Sequence, residues 1–334
     1  MAINTLEAAK IFQTALDQQV LEGATSGWME DNAGQTKYSG GAEVKIPKMS
    51  LSGLGNYDRD SGYTQGAVSL TYETKSMTMD RGSKFLLDKI DVDESNFIAS
   101  ASAVMSEFQR TKVIPEVDAY RYSRIYALAK DNYGRTYTPA ASTILSTLSE
   151  DITAVQDAAG NADLVIIMAR PVYDMFCNNE KISKLINAGD FKQGELDLQI
   201  KMFNGIPIIP VPSARMKTAY TFYDGKSSGQ ETGGFVPAEN ATQINWIICP
   251  KSAPIAVSKT DNFKMFDPET NQSADAWLVE YRKFHDLWIK DNALPSVRVC
   301  AAGASKASQT KNTQTETSQT ETSQTEPSQD DSGT

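Results

Sequence analysis

The residues of this 334-residue chain whose types could do chemistry are one histidine, three cysteines and a few clusters of acids. His285 stands beside Asp286, and a histidine with a carboxylate is the pairing from which a general base and its orienting partner are built. Hydrolysis would also need a nucleophile on a sharp strand-to-helix turn, and no serine or cysteine sits in such an elbow. Neighbours in an extended segment point to opposite faces, so His285 reads as structural. Cys177, Cys249 and Cys300 are widely spaced and odd in number. That is no disulfide framework, it fits a reducing compartment, and with a single histidine it makes no zinc set. Asp88, Asp91, Asp93 and Glu94 suggest calcium, but the glycine turn and the ligand spacing of a calcium loop are missing. A turn followed by a helix N-cap at Asp93 accounts for them better. Gly53-Leu54-Gly55 follows no buried strand and opens no apolar helix, so it is no dinucleotide fingerprint. The chemistry points to binding rather than catalysis, with no cofactor and no metal expected.

The bulk composition narrows the partners. Net charge is −10, which argues against a broad basic face that grips nucleic acid. Apolar residues make up 40% of the chain, enough for a core in one large domain or two modest ones. No run is long and apolar enough for a membrane span, and residues 1–7 lack the basic start and apolar stretch of a signal peptide. The expectation is assembly in the cytoplasm, with no membrane partner.

Periodicity supplies the elements that hold these residues. Leu6, Ala9, Phe12, Leu16 and Val20 share one face of a helix over 4–22. Residues 23–70 are rich in glycine; Tyr38, Val44 and Ile46 predict a strand running into Pro47, and 51–66 reads as a polar, flexible tip. A second strand returns over 67–79, with Val68, Leu70 and Tyr72 on one side. A hairpin this long has no core of its own, so it makes sense packed on another chain. From Asp93, the apolar residues Phe97, Ala101, Val104 and Phe108 predict a long helix. Pro115 either kinks it or opens a new one, and Glu116 and Asp118 favour a new start. The next helix has Val117, Tyr120, Arg124 and Leu128 on one side and ends at Gly134; another opens at Ser142 or Thr143 and closes at Gly160.

An alternating pattern follows, with strands at 164–168, 198–202, 206–211, 221–223 and 244–249 and a helix at 171–176. Strands at 255–257, 276–289 and 295–300 complete the body. From Gly303 the composition changes. Thr315-Glu316-Thr317-Ser318-Gln319 is repeated at 320–324 and again, with proline, at 325–329. With nothing apolar to bury, this tail is expected to be disordered.

Several of these stretches, taken in order, resemble the major capsid proteins of tailed bacteriophages with the Hong Kong 97 fold. They are Gly40-Gly41-Ala42-Glu43-Val44-Lys45-Ile46-Pro47, Asp80-Arg81-Gly82, Asp91-Val92-Asp93-Glu94 and Pro115-Glu116-Val117-Asp118-Ala119-Tyr120. Further on come Asn204-Gly205-Ile206-Pro207-Ile208-Ile209-Pro210-Val211-Pro212 and Tyr281-Arg282-Lys283-Phe284-His285-Asp286. Order and spacing together carry the resemblance, which spans roughly residues 1 to 300.

The resemblance implies an α+β, Hong Kong 97-like capsid fold. Its parts would be an N-terminal arm (1–35), an E-loop hairpin (36–80), a peripheral domain with a long spine helix (81–136), an inserted axial domain (137–255) and returning peripheral strands (256–302), before the tail (303–334). It implies self-assembly into pentamers and hexamers of an icosahedral head that encloses double-stranded DNA. Scaffolding, portal and decoration proteins would be partners, and the shell would expand from a procapsid as DNA enters. The N-terminal helix packs on a neighbour or on its own domain, and periodicity does not choose. Lys45 and Lys48 read as solvated charge rather than cross-linking groups. Candidate contacts between subunits are Tyr57, Asp58 and Arg59 at the hairpin tip, Asp80, Arg81, Asp91 and Glu94 near the hinge of arm and helix, and Glu107, Arg110 and Glu116 along the helix. The charged ones could equally form ordinary surface ion pairs. Two alternatives are an encapsulin-like compartment with protein cargo and, from another class, a surface protein whose Ser/Thr-rich tail is a stalk.

Overall fold

A computed structural model describes residues 23–38, 43–60, 62–88, 105–179, 187–193, 196–271, 274 and 276–303. The expected N-terminal helix, Asp91, Glu94, the first half of the long helix and the repeat tail lie outside these residues.

The most apolar stretches become the middle of a sheet. Strands β6 (Leu164–Ala169) and β12 (Ile244–Pro250) are buried at every position, as strands covered on both faces are. They pair antiparallel at the centre of a seven-stranded sheet. On one side β12 pairs with β15 (Arg298–Ala301), which pairs in parallel with the short β5 (Gly134–Thr136). On the other side β6 runs parallel to β9 (Ile206–Val211), followed by β8 (Leu196–Phe203) and β7 (Asn187–Gln193). Asn204 and Gly205 both have positive φ, 50° and 77°, and the two-residue turn they make sets Phe203 opposite Ile206. The helix Ile144–Ala159 buries Ile144, Leu148, Ile152 and Val155 in this core and ends at Gly160 with φ 61°. Its Asp151 accepts the Trp246 indole N–H at 2.9 Å. The helix Arg170–Cys177 adds Val172, Tyr173 and Phe176.

A second sheet has three strands, with β14 (Ala276–Ile289) between β13 (Pro254–Phe266) and β4 (Met79–Asp88). From it projects the third unit, a ribbon of β2 (Glu43–Leu51) and β3 (Val68–Ser76), with β1 (Lys37–Tyr38) paired only at its base. The 3₁₀ segment Gly27–Gln35, at the end of the expected arm, packs on the body. Trp28 and Met29 are buried in the main core, and the Asn32 amide donates to the Lys251 and Pro254 carbonyls at 2.7 and 2.8 Å.

Three local expectations need correction. The returning strand does not run to Met79. It stops at Ser76; Met77 inserts beside Ile255 and Trp288, and β4 begins as a separate body strand. Both strands alternate with a period of two, so the break leaves no mark in the pattern. Residues 295–300 do not complete the sheet of β14. Val299, Cys300 and Ala301 are buried as β15 of the seven-stranded sheet, which the pairing with β5 closes on that side.

Nor does Pro115 start a new helix. Residues 105–108 are α-helical, Gln109–Val113 form a π turn, and the helix α1 (Ile114–Tyr133) follows directly. Phe108, Val113 and Ile114 all keep right-handed helical backbone. The widened turn accommodates the missing proline N–H without a stop. The buried face of α1 takes in Ile125 and Ala129 beside Val117 and Tyr120, with Leu128 partly buried against the main core.

Candidate functional site

The ribbon has two unlike faces. Directly paired residues share a face, so the register puts Pro47 with Tyr72, Met49 with Leu70 and Leu51 with Val68 on one side. The other side carries Val44, Ile46, Lys48 and Ser50 of β2, with Lys75, Glu73, Thr71 and Ser69 of β3. Its inner end is the anchor: Val44 and Ile46 are fully buried against Met77, Ile255 and Trp288. Beyond them the same side is polar. Glu73 lies 3.7 Å from Lys48 and 3.6 Å from Lys75, Lys48 also reaches Asp291 at 3.7 Å, and the Ser50 and Ser69 hydroxyls meet at 2.6 Å.

The apolar side is largely exposed among the described residues. Among the described residues, the exposed large apolar side chains are Met49, Leu51, Leu54, Tyr57, Tyr63, Val68, Leu70 and Tyr72 of the ribbon, and Leu86 of β4. Met49 is 60% exposed and Leu70 54%. Single exposed apolar residues are ordinary, but a continuous strip marks an interaction surface. Fully burying such a side chain contributes about 1.5–3 kcal/mol, so several together are enough to bias association.

The tip is folded on itself. Asp58 and Gly62 exchange backbone hydrogen bonds of 3.2 and 2.8 Å, Gly62 has φ 79°, and the Asp58 carboxylate accepts the Asp60 N–H at 3.1 Å. Across this turn the Tyr57 and Tyr63 rings pack edge to face at 5.0 Å. Arg59 is exposed beside them.

The root of the ribbon is pinned by α1. Thr78, where the chain leaves β3, donates its N–H and hydroxyl to Asp286 at 2.9 and 3.0 Å. Tyr120 donates its hydroxyl to the same carboxylate at 2.6 Å. Burial pushes the Tyr120 phenol far above its ordinary range, and the bond to Asp286 adds to this. One helical turn earlier, Glu116 takes the Arg81 guanidinium in a two-point pair, 2.6 Å from Nε and 3.3 Å from Nη2. Two further Arg81 N–H groups donate to the Tyr223 and Gly234 carbonyls at 2.6 and 3.1 Å. These carbonyls flank the hairpin of β10 (Tyr220–Phe222) and β11 (Phe235–Pro237). One arginine therefore ties β4, α1 and that hairpin together.

Behind this clamp lies a buried polar hub. Asp118, fully buried, accepts the Thr25 and Ser26 N–H groups at 3.2 and 3.0 Å and their hydroxyls at 2.8 and 2.6 Å. It also pairs with Arg215 at 3.0 Å. Arg121 donates to the Ser26 carbonyl at 3.1 Å and to Glu30. Burial alone would raise the Glu30 pKa; Arg121 and Lys283 outweigh it and hold the carboxyl below its ordinary value. His285 packs edge-on against Tyr120 at 5.4 Å. Burial, and then Arg121, Lys283 and Arg81, push its pKa well below the ordinary value.

The ten predicted contact residues therefore fall into different classes. Tyr57, Asp58 and Arg59 are exposed together at the tip. Arg81 and Glu116 are joined, but inside the chain, so their charges are not free for a neighbour. Glu107 and Arg110 pair with each other on the exposed side of the helix, and Asp80 pairs with Arg282 at 2.5 Å. Asp91 and Glu94 lie outside the described residues. Asp118, Arg121 and Asp286 were not among the candidates. Asp118 read as a first-turn acid, and its real partners are about ninety residues away in each direction. The one available signal was that acids and arginines recur on a helix otherwise built from apolar, aromatic and small residues. Among the described residues, no group of three or more His, Cys, Asp and Glu is placed to hold a metal ion.

No family profile and no curated protein sequence matches the chain. Solved structures do. The capsid of Staphylococcus phage Andhra aligns over 80% of this chain and 82% of its own, with 10% identity and a TM-score of 0.51. The mature capsid of bacteriophage PhiM1 aligns over 78% and 82%, with 12% identity and a TM-score of 0.50. The chain has the mixed helix-and-sheet fold of these phage capsid proteins, the Hong Kong 97-like fold that the motifs implied.

Proposed function

We propose that this chain is the major capsid protein of a tailed, double-stranded DNA bacteriophage, building an icosahedral head from pentamers and hexamers of itself. The observation that carries the reading is the ribbon: among the described residues its apolar face is largely exposed, while its root is fixed rigidly to the body. An arm of this kind gains stability only by lying on a second copy. Because its face and the surface that receives it are different, the contact is heterologous and repeats around an axis until it closes. The fold shared with phage capsids supports this. The net charge of −10 suits a wall that encloses DNA without gripping it.

In this reading the seven-stranded sheet is the axial domain, and β4, β13, β14 and the long helix are the peripheral domain. Tyr57, Asp58 and Arg59 touch the neighbour at the ribbon tip, and Asp80, Glu107 and Arg110 remain available at the surface. Assembly takes place in the host cytoplasm with a scaffold and portal, and the procapsid expands as DNA enters.

Negative-stain electron microscopy and sizing chromatography of the full chain, alone and with a candidate scaffold, test the proposal. Closed shells or ring-shaped capsomers are expected. A compact monomer under every condition overturns it, and shells that copurify with one protein cargo instead move the reading to a storage compartment.

A further inference from the structure

The π turn Gln109–Val113 carries an inference of its own. Met105, Gln109, Val113 and Val117 recur at steps of four and are all buried. In an α-helix each step of four overshoots a full turn by about 40°, so the column would drift by about 120° over its length. A π turn adds a residue to one turn and takes up that drift, with the Ile114 N–H bonding back to the Gln109 carbonyl. The Thr111 hydroxyl, donating to the Glu107 carbonyl at 2.6 Å, braces the same turn. The arrangement has one flaw: Gln109 is fully buried, and neither atom of its amide has a hydrogen-bond partner among the described residues.

Two opposing terms therefore meet on one element. Burial of Met105, and the packing of Phe108 on Phe85 at 5.0 Å and on Tyr281 at 6.1 Å, hold the π form. The unsatisfied amide opposes it. Pro115 donates no bond in either register, so the turn before it can change without breaking one there.

We propose that Gln109–Val113 is a register switch in the long helix. It exchanges between this π form, with Gln109 inside, and an α form in which the helix before the turn is rotated by about one residue, roughly 100°, and Gln109 leaves the apolar column. Packing against a second copy tips the balance, and to that extent the proposal rests on the shell reading. The switch itself belongs to the single chain.

Amide hydrogen exchange of the full-length subunit, read at Ile114 and across 109–113, is the test. Gln109→Leu removes the amide and keeps the bulk; it is expected to hold the π form and slow exchange at Ile114 at least tenfold. Deleting Thr111 removes the extra residue; that variant is expected to fold with an unbroken α-helix in which Gln109→Leu has no further effect on exchange. Exchange at Ile114 within twofold of wild type in Gln109→Leu overturns the switch, as does an undiminished Gln109→Leu effect in the deletion variant. Neither readout needs a shell, so failure here is distinct from failure of the capsid reading, which microscopy of the wild type decides.

Discussion

The outer ribbon and the first turns of α1 invert each other. The ribbon turns Met49, Leu51, Val68 and Leu70 to solvent, whereas the helix hides Asp118 and Arg121 in the interior. Apolar side chains usually go inside and charges outside, so both regions run against the ordinary partition, for opposite reasons. Among the described residues, the ribbon's apolar face is left unfinished. The helix is over-specified: its buried charges contribute little net stability, since desolvation offsets attraction, but they admit one geometry only. On the shell reading proposed above, they make an arm that needs a neighbour and a base that decides where the arm points.

The largest expected effect lies in the hub. Asp118→Ala would leave Arg215 and the Thr25 and Ser26 N–H groups without their shared acceptor. Removing one partner of a buried ion pair typically costs about 3–5 kcal/mol. Urea denaturation of the full chain should show a loss of that order. A loss below about 1 kcal/mol, the scale of an exposed ion pair, would mean the hub is no more specific than the surface and would dissolve the contrast.

A smaller effect is expected from acid. His285 has a pKa below its unfolded value, so as pH falls below about 6.5 the unfolded chain takes up a proton that the folded chain resists, and stability falls. The slope approaches at most about 1.4 kcal/mol per pH unit. His285 is the only histidine, so His285→Asn should flatten stability between pH 7 and 5.5. Glu30 acts lower: its depressed pKa gives stability that is complete above about 4.5 and is lost as pH falls through the folded value. An unchanged slope in His285→Asn would place the acid sensitivity elsewhere.

In the ribbon, the same measurement should find almost nothing while assembly is lost. Met49→Glu with Leu70→Glu alters exposed, directly paired positions, where surface changes usually stay within about 0.5 kcal/mol. Two like charges facing each other across the strands add a repulsion of about the same size. Shells should nevertheless be absent by microscopy, because each copy would bring two carboxylates into an apolar contact. Normal shells from this variant would show that the ribbon face is not an interface.

The sequence exposed these two regions unequally. The ribbon was legible because a period of two, a glycine-rich tip and the absence of a core are all local facts; residues 43–51 and 68–76 do pair, joined by residues 52–67. The hub was not, because Asp118 meets Thr25, Ser26 and Arg215 only after folding, and nothing near it in the chain foretells them. The π turn was hidden for a related reason. Pro115 reads as a stop under local rules, and only the packing of Met105 and Val117 in one cluster shows that the helix had to continue in phase. Likewise the step from β3 to β4 vanished because both strands alternate, and it is marked only by tertiary contacts, Met77 packing beside Ile255 and Trp288 and Thr78 bonding to Asp286.

The smallest effect separates two ion pairs of the same chemistry on one helix. Arg81 and Glu116 have side chains 24% and 17% exposed, and the guanidinium also donates to two backbone carbonyls. Arg110 and Glu107, three residues apart, are 66% and 56% exposed and have water as the alternative partner. Exposed pairs of this spacing contribute about 0.2–0.5 kcal/mol, so Arg110→Ala should move the urea midpoint hardly at all. Arg81→Ala, which leaves a half-buried Glu116 and two carbonyls without their donor, should cost several times more. Measured side by side, the two substitutions ask whether the clamp at the root differs in kind from an ordinary surface pair. Equal losses would mean that Arg81 does not hold the arm, and that the ribbon's direction is left to Thr78, Tyr120 and Asp286.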